Sequence, residues 1–134
     1  MITPKDRLES IIEVIEELEE CSRDCPIVVE GIRDVEALKQ LGIVKNVTSL
    51  SKGISLFAFC EELSRDWDRV ILLTDWDRKG GRIARRLKDA FEANGARAVE
   101  DFRARLAALT KKEVKDVESL PTYIRRLRSL TGTR

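Results

Sequence analysis

Residues 70–81 read Val70-Ile71-Leu72-Leu73-Thr74-Asp75-Trp76-Asp77-Arg78-Lys79-Gly80-Gly81. The first four form an unbroken apolar run, the composition of a strand buried on both faces in a parallel sheet. Two aspartates leave its carboxyl end, and Gly80 and Gly81 permit close backbone approach where a helix opens. Ile83, Leu87, Ala90 and Phe91 then recur at helical spacing until Asn94-Gly95 ends the pattern. A strand, a short acidic loop and a helix follow one another within 26 residues.

The same grammar holds upstream. Ile27-Val28-Val29 is a second buried-strand run, closed by Glu30-Gly31. A short helix is predicted over 34–41, stopped at Gly42, and another strand over 44–50, closed by Ser51-Lys52-Gly53. Leu56, Phe57, Phe59, Cys60 and Leu63 mark a further helix, and 97–99 a weaker fourth strand. Alternating strands and helices predict an α/β domain with a parallel sheet of about four strands. Thr3, Pro4 and Asp6 open an added N-terminal helix with a capping-box pattern, and Leu8, Ile11, Ile12, Ile15 and Leu18 are its apolar face. The stretch 101–134 reads as helical: Phe102, Leu106 and Leu109 mark one helix, and Tyr123, Ile124, Leu127 and Leu130 another. At 134 residues the chain fits a single domain, 1–134.

Composition narrows the class of function. A hydrophobic content of 43% supports a real core and excludes a disordered tail protein. The net charge of +1 conceals an asymmetry: residues 1–30 carry 3 basic and 9 acidic residues, and the remainder 22 basic and 15 acidic. A phosphate-bearing partner therefore meets the second part. No apolar run suffices to span a bilayer and the N-terminus lacks a signal-peptide pattern, so no membrane partner and a cytoplasmic location are expected. Cys21, Cys25 and Cys60, without histidine, do not make a four-ligand zinc site and read as reduced thiols. With no histidine, acid–base chemistry falls to carboxylates, lysines, tyrosine or metal-bound water.

In open α/β sheets, ligands bind beyond the carboxyl ends of the strands, where the strand order reverses. Glu30, Asp75 and Asp77 stand at those ends. Three carboxylates together repel one another unless a cation is present, and a hard oxygen-seeking divalent ion relieves this. Mg²⁺ is the expected ion, with Mn²⁺ the alternative. Asp34 has two readings, a water-mediated place in the metal site or a helix cap. The segment 78–88 contributes Arg78, Lys79, Arg82, Arg85, Arg86 and Lys88 without an acid, and the N-terminus of its helix favours anions. Of these, Arg78, Lys79, Arg82, Arg85 and Arg86, together with Gly80 and with Lys52 after the second strand, are the candidate phosphate contacts. A lone D-x-D, a lone Glu-Gly and a basic helix face are each common in surface structure. Their order on one βα framework gives the combination its specificity.

Two segments carry a resemblance. Ile27-Val28-Val29-Glu30-Gly31-Ile32-Arg33-Asp34 resembles the first Toprim motif, an apolar strand followed by E-G-x-x-D. Residues 70–80 resemble the second, an apolar strand followed by D-x-D-x-x-G. The resemblance covers roughly 25–100, and the chain's size is most similar to the 5S ribosomal RNA maturase and to small stand-alone archaeal Toprim proteins. It implies a Rossmann-like four-stranded parallel sheet with flanking helices, Mg²⁺ on Asp75 and Asp77, and an acid/base role for Glu30. The chain departs from type IA topoisomerases, which carry glutamate where Gly81 stands, and it lacks the accessory domains of a complete primase. Glu118 faintly resembles part of a downstream maturase stretch, though Ser119 and Pro121 equally explain that segment as a helix start.

These readings set the expectations: a Mg²⁺-dependent nuclease acting on RNA or DNA, with a primase-like nucleotidyl transferase and a non-catalytic nucleic-acid-binding module as alternatives. Homo-oligomerisation is left open. Trp67 and Trp76 have a base-stacking reading and a packing reading, and Tyr123 is not expected to be a nucleophile.

Overall fold

The computed structural model describes residues 2–50, 53–110 and 112–132. Its centre is a parallel sheet of four strands: β1 (Ile27–Val29), β2 (Val47–Ser49), β3 (Arg69–Leu72) and β4 (Arg97–Val99), in the order β2-β1-β3-β4. Among the described residues six helices surround it: α1 (Pro4–Ser22), α2 (Ile32–Gln40), α3 (Leu56–Ser64), α4 (Arg78–Ala93), α5 (Asp101–Thr110) and α6 (Leu120–Thr131). None is long and apolar enough to cross a membrane.

Side-chain alternation along the central strands sorts the core into two layers. Val28, Val70 and Leu72 point to one face and pack with Phe59 and Cys60 of α3 and Leu87, Ala90 and Phe91 of α4. Ile27, Val29, Ile71 and Leu73 point to the other, where α1, α2, α5 and α6 lie. This division follows from chain direction. The chain leaves β1 toward β2 on one side of the sheet, then returns to β3 and moves on to β4 on the other, so right-handed crossovers place α2 opposite α3 and α4. The order reverses between the paired strands β1 and β3. Their carboxyl ends flank the crevice where ligands of such sheets bind.

Several predicted boundaries shift for local reasons. Strand β2 is shorter than 44–50 because Asn46 adopts φ 54° and its side-chain amide donates to the Ser22 carbonyl at 2.7 Å. That anchored left-handed turn postpones sheet pairing to Val47. Helix α2 begins at Ile32 rather than at 34, with Gly31 as its N-cap. The capping box of α1 forms as expected: Thr3 Oγ1 accepts the Asp6 N–H at 3.1 Å. Its buried stripe uses Val14, while Ile12 lies at the margin. In α6, Tyr123, Ile124 and Leu127 are buried, whereas Leu130 is exposed and lies outside the expected apolar face. The three cysteines are free thiols, with Cys25 and Cys60 buried.

Candidate functional site

The loop from β3 to α4 is held from every side. Thr74 is fully buried, and its hydroxyl donates to the Gly80 carbonyl at 2.9 Å. The Asp75 N–H donates to Glu30 Oε2 at 2.8 Å, which ties the end of β3 to the end of β1 across the switch point. Asp77 is the N-cap of α4, and its Oδ1 accepts the Gly80 N–H at 2.6 Å. Gly80 is required by contact: a Cβ there would stand 1.8 Å from the Asp75 carbonyl oxygen. Gly81 lacks that constraint, because its Cβ would meet only Arg103 Nη2, at 3.6 Å.

Trp76 turns away from the acids. Its indole N–H donates to the Val114 carbonyl at 2.8 Å and to Thr110 Oγ1 at 3.1 Å, while its backbone N–H donates to the Lys115 carbonyl. The packing reading of Trp76 therefore describes it. Trp67 immediately precedes β3 by two residues, at the opposite edge of the sheet from Glu30, and packs against both core layers. Tyr123 is core.

Motif one is tied to the C-terminal segment. Asp34 is 7% exposed. Its Oδ2 accepts the Gly31 N–H at 3.1 Å and its Oδ1 the Glu118 N–H at 3.0 Å. Of the two sequence readings, helix capping is the one its contacts express, from the third helical position rather than from the cap itself. The Glu118 carboxylate reaches outward to Arg33 at 3.7 Å.

Two contributors escape sequence reasoning. Arg103 on α5 donates from Nη2 to the Asp75 carbonyl at 2.8 Å and from Nε to the Thr74 carbonyl at 3.2 Å, so it braces the acidic loop by its backbone. A lone arginine in a helical tail carries no sequence signal for this. Asp116 adds negative charge toward both Asp34 and Asp75. Its one legible trace is the pattern Asp116-Val117-Glu118, in which two acids flank a fully buried valine.

The electrostatics follow from this gathering. Burial first, then the charges of Glu30, Asp34, Asp116 and Asp77, push the Asp75 carboxyl up to about 7. Burial also raises Asp34, against hydrogen bonds from Gly31 and Glu118 that lower it. The donor set is all oxygen, as hard cations prefer. Among the described residues, no three acidic or thiol side chains converge into a ready-made metal cage. Two of the acids already hold backbone N–H groups: Glu30 that of Asp75, and Asp77 that of Gly80. Such a partly open arrangement suits Mg²⁺, which takes one or two carboxylates and keeps waters and substrate phosphates. The residues fit that ion.

Beside the acids runs the basic wall. Arg78, Lys79, Arg82, Arg85 and Arg86 are all exposed, and none is ion-paired among the described residues. Lys88, farther along the same helix, is paired with Glu100, and among the described residues Arg105 pairs with Glu17 and Arg126 with Glu113. Lys52 lies outside the described residues.

Comparison with known proteins agrees with this architecture. The Toprim domain family model matches residues 25–109. A UPF0292 protein of Methanosarcina barkeri is 45% identical over 96% of this chain and 90% of its own length. A UPF0292 protein of Methanocaldococcus jannaschii is 36% identical over 87% of this chain and 91% of its own length. A solved structure of an Aquifex aeolicus protein superposes with a TM-score of 0.69 at 36% identity, covering 80% of this chain and 94% of that one.

Proposed function

We propose, from the premise that this chain belongs to the Toprim domain family, that it is a Mg²⁺-dependent nuclease acting on RNA or DNA. The family points to magnesium and to nucleic acid, and the finer reading rests on one observation. The acids of two motifs meet at the switch point, where Glu30 holds the Asp75 N–H at 2.8 Å, directly beside a helix of unpaired cations.

In this reading Asp75 and Asp77 are the ligands of the ion. Glu30 is a third ligand or the acid/base that moves the proton at the attacked phosphodiester. Asp34 joins only through water, since both its oxygens accept backbone N–H groups. Mg²⁺ bound there supplies charge stabilisation at a phosphoryl oxygen. Arg78, Lys79, Arg82, Arg85 and Arg86 bind the backbone phosphates, and Arg103 fixes the loop geometry. Gly80 keeps the acidic loop closed against the start of α4.

The test is hydrolysis of a panel of structured RNA, denatured RNA and plasmid DNA, with and without Mg²⁺, for wild type, Asp75→Asn and Asp77→Asn. Asn at 77 remains a good helix cap, so this variant separates chemistry from folding. Mg²⁺-dependent cleavage lost in both variants supports the reading. Equal Mg²⁺ affinity of wild type and variants by calorimetry removes these aspartates from it. Nucleotide incorporation on a primed template without cleavage replaces it with a primase-like transferase, and binding without either activity with a non-catalytic module.

A further inference from the structure

Three of the four phenylalanines are core: Phe59, Phe91 and Phe102 are 8%, 0% and 7% exposed. Phe57, near the start of α3, is 53% exposed. Leaving a large aromatic in water forgoes the burial that the other three obtain. Phe57 is also not isolated. With Leu56, Ala90 and Ala93 it walls a shallow cleft of about 350 Å³ between α3 and α4, bordered by Arg86 and Asp89. At ~100° per residue, Lys79, Arg82, Arg86, Ala90 and Ala93 fall within about 80° of one another on α4. The cleft therefore continues a stripe of unpaired cations that begins beside Asp77. Along the axis, Arg86 stands about 13 Å from Asp77 at ~1.5 Å per residue, within the span of a few nucleotides.

We propose that this cleft seats an unpaired nucleobase, so that the chain engages a single-stranded stretch of nucleic acid. The base stacks on the Phe57 ring, and its flanking phosphates run along Arg86, Arg82 and Lys79 toward the acidic loop. Stacking on an exposed aromatic beside cations is how single strands are held without sequence preference. A duplex keeps its base faces stacked on one another and offers Phe57 nothing. A second copy of the chain fits less well, because a two-fold contact through this cleft brings Arg86 and the cations beyond it against their own copies, with Asp89 the one acid among the lining residues. The inference rests on the nucleic-acid reading above and specifies which form of nucleic acid it concerns.

The experiment is fluorescence anisotropy without Mg²⁺, using labelled single-stranded DNA and RNA oligonucleotides and the matching duplexes, with sedimentation of each protein in parallel. Phe57→Ala is expected to weaken single-strand binding by about tenfold and to leave duplex binding unchanged, with Phe57→Trp restoring it. Arg86→Ala is expected to flatten the single-strand salt slope by about 0.7. Unchanged single-strand affinity in Phe57→Ala overturns the proposal, as does a shift in self-association in place of a binding loss. If wild type binds neither form, the nucleic-acid reading falls with it. If wild type binds and Phe57→Ala binds equally, only the base seat is lost.

Discussion

Adjacent glycines at 80 and 81 look alike in the sequence, yet only one is forced. A methyl at Gly80 would stand 1.8 Å from a backbone oxygen five residues upstream, a clash that no side-chain rotation relieves. Gly80→Ala is therefore expected to cost about 1–3 kcal/mol and to shift the acidic loop, lowering Mg²⁺ affinity. At Gly81 the methyl has ordinary contact distance, so Gly81→Ala should stabilise the helix by about 0.5–1 kcal/mol. Urea melts of both variants decide this, and equal effects would sink the packing account. Asp75 offers a test by pH. Its folded pKa, about 7, lies above its ordinary 3.8, so between those values the unfolded chain has released a proton that the folded chain retains. Stability from this group is thus fully present at low pH, falls as pH rises through that window, and levels off above it. Metal-free wild type should lose on the order of 1–3 kcal/mol across the window relative to Asp75→Asn, after allowance for partial exposure. Saturating Mg²⁺ should restore wild type at alkaline pH. Parallel pH–stability curves for the two proteins would exclude the effect. The acids were legible because they follow apolar runs. Arg103 was not, because its role is to hold two carbonyl oxygens, and nothing in a sequence marks which carbonyls need holding.

At the scale of elements, the strands buried on both faces were the most legible. Ile27-Val28-Val29 is β1 to the residue, whereas β2 shrinks because Asn46 turns the chain before pairing begins. Helix α4 was legible as well: its apolar side packs as the spacing of Leu87, Ala90 and Phe91 required, which leaves its cations in solvent. Replacing Arg82 and Arg85 with Ala should therefore change stability by no more than about 0.5 kcal/mol per site. Each lost phosphate contact should flatten the slope of log affinity against log salt by about 0.7–0.9. Asp77→Asn should act oppositely, preserving or strengthening binding by removing a negative charge while abolishing turnover. Asp77→Ala should in addition lose about 0.5–2 kcal/mol, because it removes the oxygen that accepts the Gly80 N–H. If the double Arg variant binds with an unchanged salt slope, the wall is a solvated face and the phosphate path lies elsewhere.

At the scale of the whole molecule, the family match ends at residue 109, but the contacts do not. Beyond it, Leu120, Tyr123, Ile124 and Leu127 are each no more than 4% exposed, in the core layer that α1 shares. At ~1.5–3 kcal/mol for each large apolar side chain, that burial contributes about 6–12 kcal/mol, comparable with the whole stability of a typical domain. The same segment touches the site twice: Trp76 in motif two rests on the Val114 and Lys115 carbonyls, and Asp34 in motif one accepts the Glu118 N–H. It thus bridges the two motifs, which a reading by local periodicity could not see, since the partners lie 38 and 84 residues apart. We expect residues 1–134 to unfold as one unit, with near- and far-ultraviolet circular dichroism reporting the same transition. Truncation after Thr110 should abolish cooperative folding and expose the apolar stripe of α1. Trp76→Phe keeps an aromatic, though smaller, side chain but loses both indole hydrogen bonds, and should weaken Mg²⁺ binding while the global transition persists. A truncated chain that melts with the full-length midpoint and binds Mg²⁺ equally would make the tail an appendage, and the site complete at residue 110.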